Sequence, residues 1–221
     1  MIQTINLRKT YGKRIIFENV NLIIPKHRFT FIAGANGSGK TTLLKCLIGL
    51  ETYQGKILFD TQTAQTSSPK IYAIYDQTPL YDHLTGFQNI EILYFGNISR
   101  KYIEKKAESI IDPELLHEKV KHYSYGQRKK LSLLIALLYE PDYLFLDEVS
   151  NGLDYDSLLQ LKKILKEQLQ GITVIATGHQ FDFYDDLVDS VIVIANQTAT
   201  QMDHIKENGD DLVEIYRNHM G

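Results

Sequence analysis

Lys40 and Thr41 close a glycine-rich run, Gly34-Ala35-Asn36-Gly37-Ser38-Gly39-Lys40-Thr41-Thr42, whose spacing fits G-x-x-x-x-G-K-[ST]. A largely apolar run, residues 28–33, precedes it, and Leu43-Leu44-Lys45-Cys46-Leu47 follows, so the order is strand, loop, helix. Each residue type has a chemical reason. Glycines let the backbone N–H groups of Asn36, Gly37, Ser38 and Gly39 converge on phosphate oxygens, and the helix beginning at Lys40, Thr41 and Thr42 presents its positive end. Lys40 reaches the β and γ phosphates, and the Thr41 hydroxyl is a ligand for Mg²⁺. This is a site for a nucleoside triphosphate.

A second constellation narrows the chemistry. Asp142-Tyr143-Leu144-Phe145-Leu146-Asp147-Glu148 reads as a buried strand ending in two acids. Adjacent side chains on a strand point to opposite faces, so the two carboxylates have different jobs. Asp147 suits Mg²⁺, through water, and Glu148 suits the polarisation of an attacking water. A solvated acidic turn is the plain alternative, and the apolar run before it stands against that.

The elements that must carry these residues follow from local patterning. Short β-type runs at 2–7, 14–17, 20–24, 28–33 and 55–60 dominate the first third. From about 86 to 111 the spacing turns helical, with Ala107, Ile110 and Ile111 at helix-like intervals. After Ser124 come helix 126–139, strand 143–146, helix 155–169, strand 173–176, a shorter helix and strand 190–194, an alternation that implies a parallel sheet with crossover helices. Residues 43–50 read as a buried helix, 61–69 as a polar surface loop, and 211–218 as weakly helical.

Tyr123-Ser124-Tyr125-Gly126-Gln127-Arg128-Lys129-Lys130-Leu131 and Val149-Ser150-Asn151-Gly152-Leu153-Asp154 complete the pattern. With them the chain resembles the nucleotide-binding domain of ABC-type ATPases along nearly its whole length. The resemblance implies an α/β P-loop NTPase fold with a parallel-sheet core, an N-terminal antiparallel β-subdomain and a helical subdomain. It also implies one ATPase domain over 1–221, with 1–76 and 128–221 as core and about 77–127 as the helical part. In that family Leu-Ser-Gly-Gly-Gln opens a helix that caps the γ phosphate of ATP on the other subunit. Ser124, Gly126 and Gln127 match it, while Tyr123 replaces Leu and Tyr125 replaces the first Gly. Taken on its own, Ser124 is a helix N-cap, a role compatible with phosphate contact.

Four further positions take roles from the same resemblance. Tyr11, in Lys9-Thr10-Tyr11-Gly12, resembles the adenine-stacking aromatic, for which a flat ring is suited. Gln77 resembles the glutamine that meets Mg²⁺ and the attacking water, and an amide can serve both. His179, one of seven histidines, resembles the switch histidine at the end of the strand after the acidic one, whereas His83, His117, His122 and His204 read as solvated. Asn151-Gly152-Leu153-Asp154 resembles the loop that crosses the dimer interface, with Asp154 counted toward the nucleotide site and, on its own, an N-cap for the next helix. The implied ligands are ATP and Mg²⁺.

Composition bounds the rest. A formal charge of −3 argues against a protein that grips a nucleic-acid backbone, so no direct nucleic-acid partner is expected. One cysteine, Cys46, excludes an intrachain disulfide and points to a reducing compartment. No apolar run reaches the roughly 18 residues of a membrane helix, and no leader is evident, so the expectation is a soluble, untargeted chain.

The resemblance then implies a cytoplasmic ATPase subunit, peripheral at the inner face of the cell membrane when assembled. Its partners would be a transmembrane permease, docked on the helical region including Tyr81-Asp82-His83-Leu84-Thr85-Gly86-Phe87, and a second ATPase subunit in a homodimer or heterodimer. The compact length is more similar to bacterial exporters than to sugar importers. The alternatives are a non-transport ABC-class ATPase acting on ribosomes or DNA, disfavoured by single motif copies and no heptad run, and a kinase or GTPase. No Asn-Lys-x-Asp segment supports a GTPase, and a kinase does not account for Ser124, Gly126 and Gln127.

Overall fold

The computed structural model describes residues 1–60, 62–63, 69–77, 79–94 and 96–220. The chain begins with two long antiparallel strands, β1 (Ile2–Tyr11) and β2 (Arg14–Ile24), followed by β3 (Phe29–Gly34) and helix α1 (Lys40–Leu47). Strands β4 (Gln54–Phe59), β5 (Gln62–Thr63) and β6 (Ile71–Ile74) follow. Helices α2 (Gly86–Leu93) and α3 (Arg100–Ala107) and two short 3-10 turns, Pro113–His117 and Val120–His122, lie between β6 and α4 (Tyr125–Leu138). The remainder alternates as β7 (Tyr143–Asp147), α5 (Tyr155–Gln168), β8 (Thr173–Thr177), α6 (Phe181–Tyr184) and β9 (Ser190–Ala195). Strand β10 (Thr198–Asp203) and helices α7 (Ile205–Asn208) and α8 (Leu212–Met220) finish it.

Two sheets result. One is antiparallel, in the order β2-β1-β4-β5, and its strands alternate buried and exposed residues as a half-solvated sheet must. The other has the order β10-β9-β3-β8-β7-β6 and is parallel except for the edge strand β10. In β3, β7 and β8 every residue is buried, the signature of strands covered on both faces.

The two faces of this central sheet separate by residue parity. Phe29, Phe31, Leu144, Leu146, Val174 and Ala176 face α4, α5 and α8, while Ile32, Tyr143, Phe145 and Ile175 face α1 and the antiparallel sheet. Helix α1 is therefore clamped between two sheets through Leu43, Leu44, Cys46 and Leu47. Burial pushes the Cys46 thiol up to about 11, which keeps it protonated and inert.

Several sequence expectations need correction. The runs 14–17 and 20–24 are one strand, because the ladder with β1 continues through a register shift between Leu7 and Lys9. The helix over 43–50 stops at Leu47, where Gly49 at φ 78 ends the turn, and Leu50 is 64% exposed. Over 86–111 there are two helices, and Ile110 and Ile111 are buried beyond the end of α3. Strand β10 was not expected, because an edge strand of mixed exposure lacks an apolar run. Of 61–69, residues 62–63 form β5, and 61 and 64–68 lie outside the described residues. Among the described residues no helix is long and apolar enough to cross a membrane.

Because β3, β6, β7 and β8 run parallel and pair in register, Asp147 beside Thr177, Leu146 beside Ile74 and Ile32 beside Thr177, the segments that follow them emerge at one edge. Phe145, on the α1 face two residues before Asp147, is 1% exposed. Phe145→Ala should cost about 3–5 kcal/mol of stability from lost burial and a residual cavity. Urea denaturation followed by circular dichroism measures this; an unchanged midpoint would contradict the packing described.

Candidate nucleotide site

The glycine loop leaves the carboxyl end of β3 and enters α1 through Gly39, which sits at φ 108 as the N-cap. A Cβ there would lie 2.6 Å from Ile16 Cγ2, so glycine is required both for the backbone turn and for the approach to β2. No side chain caps α1. By contrast α2, α3, α4 and α5 are capped by Thr85, Ser99, Ser124 and Asp154, and the first-turn N–H groups of α8 reach Asp211. Among the described helices of eight or more residues, the one whose N–H groups lack a side-chain cap is thus the one behind the glycine loop, and it points its positive end there.

Lys40 is 6% exposed and folds across its own loop, donating to Gly34 O at 3.0 Å and Ala35 O at 3.3 Å. Burial lowers its pKa, and the nearby Glu148 and Asp147 carboxylates oppose that shift. The Ser38 hydroxyl is buried with no hydrogen-bond partner among the described residues. A buried donor of this kind is costly until an acceptor arrives, and phosphate oxygens are such acceptors.

Asp147 is 8% exposed at the end of β7. Its Oδ1 accepts from Thr41 Oγ1 at 3.1 Å and from Thr177 Oγ1 at 2.6 Å, so α1, β7 and β8 meet at one oxygen. One carboxylate with a neighbouring hydroxyl is the sparse oxygen set that suits Mg²⁺, which takes its other ligands from phosphates and water. No cluster of three or more His, Cys, Asp or Glu side chains that could hold a metal occurs among the described residues.

Glu148 lies in the left-handed region at φ 55, an unusual conformation for a glutamate. Its N–H reaches Thr177 O and Oγ1, each at 3.2 Å. Its carboxylate is shared: Asn151 Nδ2 donates to Oε2 at 2.7 Å, and His179 Nε2 lies 3.2 Å from Oε1. Strand β7 ends at Asp147, so Glu148 lies beyond the strand alternation on a left-handed turn, and both carboxylates act on Lys40.

Tyr11 ends β1 and is 46% exposed, with the Lys9 ammonium 4.5 Å from its ring centroid. A cavity of about 280 Å³ is lined by Tyr11, Asn36, Gly37, Gly39, Lys40, Thr41, Thr42 and Glu148. One cavity thus gathers the aromatic, the loop and the acid. Arg14 and Ile16 line it too, and no motif pointed to them. Gln77 is exposed two residues beyond Tyr75, and Tyr75 follows the Ile74–Leu146 pair, so this turn leaves the sheet beside Asp147.

Ser124, Gly126 and Gln127 are at the start of α4 rather than in this cavity. Ser124 Oγ accepts from Gln127 N at 3.2 Å and Gln127 Oε1 accepts from Ser124 N at 2.7 Å, a reciprocal capping box. A Cβ on Gly126 would meet Ser157 Oγ at 2.6 Å, so glycine there permits α4 and α5 to approach. Asp154 caps α5 by accepting from Ser157 N at 2.8 Å. In the 81–87 segment Tyr81, Asp82 and His83 are exposed, whereas Phe87 is 3% exposed and packs in the core. His117, His122 and His204 are exposed as expected.

Sequence reading missed Thr177 and Lys9, and it placed Asn151 in the interface loop without its contact to the Glu148 carboxylate. Thr177 is the polar end of the apolar run Thr173-Val174-Ile175-Ala176-Thr177, a signal as legible as Asp147 at the end of its own strand. Lys9 carried no such signal, since its burial against Glu51 depends on the fold.

Comparison with known proteins agrees with this geometry. The ABC transporter family matches residues 17–151. A lantibiotic transport ATP-binding protein, SrtF of Streptococcus pyogenes, is 29% identical over 99% of this chain and 96% of its own length. A methionine import ATP-binding protein, MetN of Haemophilus ducreyi, is 32% identical over 88% of this chain and 62% of its own. A dimeric ATP-binding cassette solved with ADP and phosphate superposes with a TM-score of 0.73 at 25% identity, covering 92% of this chain and 98% of that one. With its open helix end, its hydroxyl-bound acid and its strained glutamate at one sheet edge, the chain belongs to the ABC transporter family as an ATP-binding, ATP-hydrolysing domain.

Proposed function

We propose that this chain energises transport by a separate membrane permease, as one of two ATPase subunits that close on each other when ATP binds. The observation that carries this is the uncapped N-terminus of α1 facing the cavity that Tyr11, Lys40, Thr41 and Glu148 share. ATP binds with its phosphates on the N–H groups of residues 36–42, Lys40 exchanging its loop carbonyls for phosphate oxygens, and its base against Tyr11. When bound, Mg²⁺ neutralises charge on the β and γ phosphates; Thr41, Asp147 through water, and Gln77 are the residues to hold it.

Glu148 polarises the attacking water, and His179 hydrogen-bonds the γ phosphate from beside it. Asn151 and His179 both contact the Glu148 carboxylate, which supports one of them releasing an oxygen for that water. The γ phosphate is capped by Ser124, Gly126 and Gln127 of the second subunit. The Ser124 hydroxyl accepts from Gln127 N, which leaves its own proton to donate. The 151–154 loop, ending on the capping Asp154, crosses between subunits. The subunits are two copies of this chain or this chain with a related one.

The permease docks on the exposed 81–83 surface of the helical region and brings the chain to the inner face of the cell membrane from the cytoplasm. Export is the favoured direction. The compact length supports it: the chain spans 96% of a protein named for lantibiotic transport but 62% of a protein named for import.

Three measurements test this reading. Lys40→Ala should weaken ATP binding about 10- to 100-fold by titration calorimetry, the worth of a charge-assisted contact; unchanged affinity would contradict the phosphate cradle. Glu148→Gln should lower turnover at least about 100-fold while an ATP-bound dimer accumulates on size-exclusion chromatography. Normal hydrolysis by that variant removes Glu148 from its role. Cysteines placed at Ser38 and Ser124 should form a disulfide between subunits in the presence of ATP, and capture within one subunit alone counts against a composite site.

A further inference from the structure

Tyr125 stands where the family pattern has glycine, and its side chain, 41% exposed, makes its polar contacts within its own chain. It folds back onto its own chain. The phenol hydroxyl donates to Asp76 Oδ1 at 2.8 Å and lies 3.2 Å from Asp76 O. One helical turn on, Lys129 is 4% exposed, and its ammonium contacts the same Asp76 carbonyl, lies 3.3 Å from Asp76 Oδ1, and sits 5.1 Å from the Tyr125 ring centroid. The ring edge also backs Gly152, where a Cβ would come 3.2 Å from Tyr125 Cε1.

Three segments with assigned roles thus converge on one ring: the first turn of α4, the turn carrying Asp76 and Gln77, and the 151–154 loop. Burial and then the Asp76 carboxylate push the Tyr125 phenol up to about 12, so it remains a donor at neutral pH. A buried lysine that shares its carboxylate with a phenol is a pair that loses much when either contact is removed.

We propose that Tyr125 is a positioning residue for ATP hydrolysis: with Lys129 it clamps Asp76, so that Gln77 and the 151–154 loop keep a fixed relation to the start of α4. The proposal rests on the role given above to Gln77. It also accounts for a large residue at a glycine position, because the ring, though 41% exposed, lies against Gly152 and Asp76 and leaves Ser124 exposed beside it.

The conservative variant Tyr125→Phe keeps the ring on Gly152 and removes only the hydroxyl. In the full chain, hydrogen exchange of the amides of residues 75–77 should accelerate at least about 10-fold, with ATP affinity by calorimetry unchanged, since the phosphate loop is not touched. The kcat for ATP should fall about 10-fold with KM within about 2-fold of the parent. In a Gln77→Ala background the same substitution should change kcat less than about 2-fold, because the residue it acts through is gone.

Unchanged exchange at 75–77 overturns the clamp. A full 10-fold loss that persists in the Gln77→Ala background overturns the positioning role, as does faster exchange with an unaltered kcat. Gln77→Ala with parental kcat is a different failure: it removes the function assigned to Gln77 and the proposal with it. In that case the exchange result still records whether Tyr125 holds the turn.

Discussion

One oxygen atom organises the site. Asp147 Oδ1 receives hydroxyl protons from Thr41 at the start of α1 and from Thr177 at the end of β8, while its own backbone ends β7. A carboxylate taken out of water is tolerated only when its lone pairs are used, so these contacts are a condition of burying it. They also fix where three elements terminate relative to each other. The next residue inherits the constraint: Glu148 N–H is drawn to Thr177, and the backbone enters the left-handed region at φ 55. Strain of this kind costs of order 1–3 kcal/mol and survives only where neighbours over-determine it. Here Thr177 holds the N–H, and Asn151 and His179 hold the carboxylate, so the strained residue is the best supported one at the sheet edge.

The helix ends follow the same economy. Most long helices in the chain satisfy their first turn with a side chain, and α4 does so reciprocally through Ser124 and Gln127. Helix α1 does not, and the lysine at its first position turns to loop carbonyls instead. The exposed donors, the buried and unpartnered Ser38 hydroxyl and a lysine whose ammonium is partly desolvated form a surface that lacks anionic acceptors. Triphosphate oxygens are acceptors of the right sign and number. The fold holds this deficit in place because α1 is gripped on both sides, by the central sheet and by the antiparallel one.

How far this was legible in the sequence depends on whether a residue's role is local. The glycine loop, the acid pair at the end of β7 and the Ser124 and Asp154 caps were readable because each rests on a spacing of a few residues within one strand–loop–helix passage. The parallel core was readable for a related reason: strands buried on both faces are continuous apolar runs. Lys9 beneath Tyr11, Arg14 beside the loop, and Thr177 on Asp147 were not singled out: Lys9 is buried by a fold-dependent contact with Glu51, Arg14 reaches the loop from the other sheet, and Thr177 meets Asp147 only because β7 and β8 pair. Strand β10 escaped because edge strands have no apolar run to announce them, and the end of α1 was overrun because Ile48 and Leu50 continue the pattern past the turn at Gly49.

The segment at 124–127 shows why a motif match needs its local packing worked out before it is given a distant role. Gly126 packs close to Ser157 across the α4–α5 contact, and Ser124 and Gln127 cap the helix reciprocally, so all three matching positions have reasons inside the chain. Those reasons do not compete with a contact to a second subunit. The capping box occupies the N–H groups of Ser124 and Gln127 and leaves the Ser124 hydroxyl proton to donate, and a glycine at 126 lets α4 settle on α5. The same logic covers Tyr125: a side chain at the first helical position has to go somewhere, and here it goes sideways, onto Gly152 and Asp76, rather than forward. The first turn of α4 is thereby shaped by contacts inside the chain, and the departure from the family pattern at Tyr125 leaves the capping pair Ser124 and Gln127 in place.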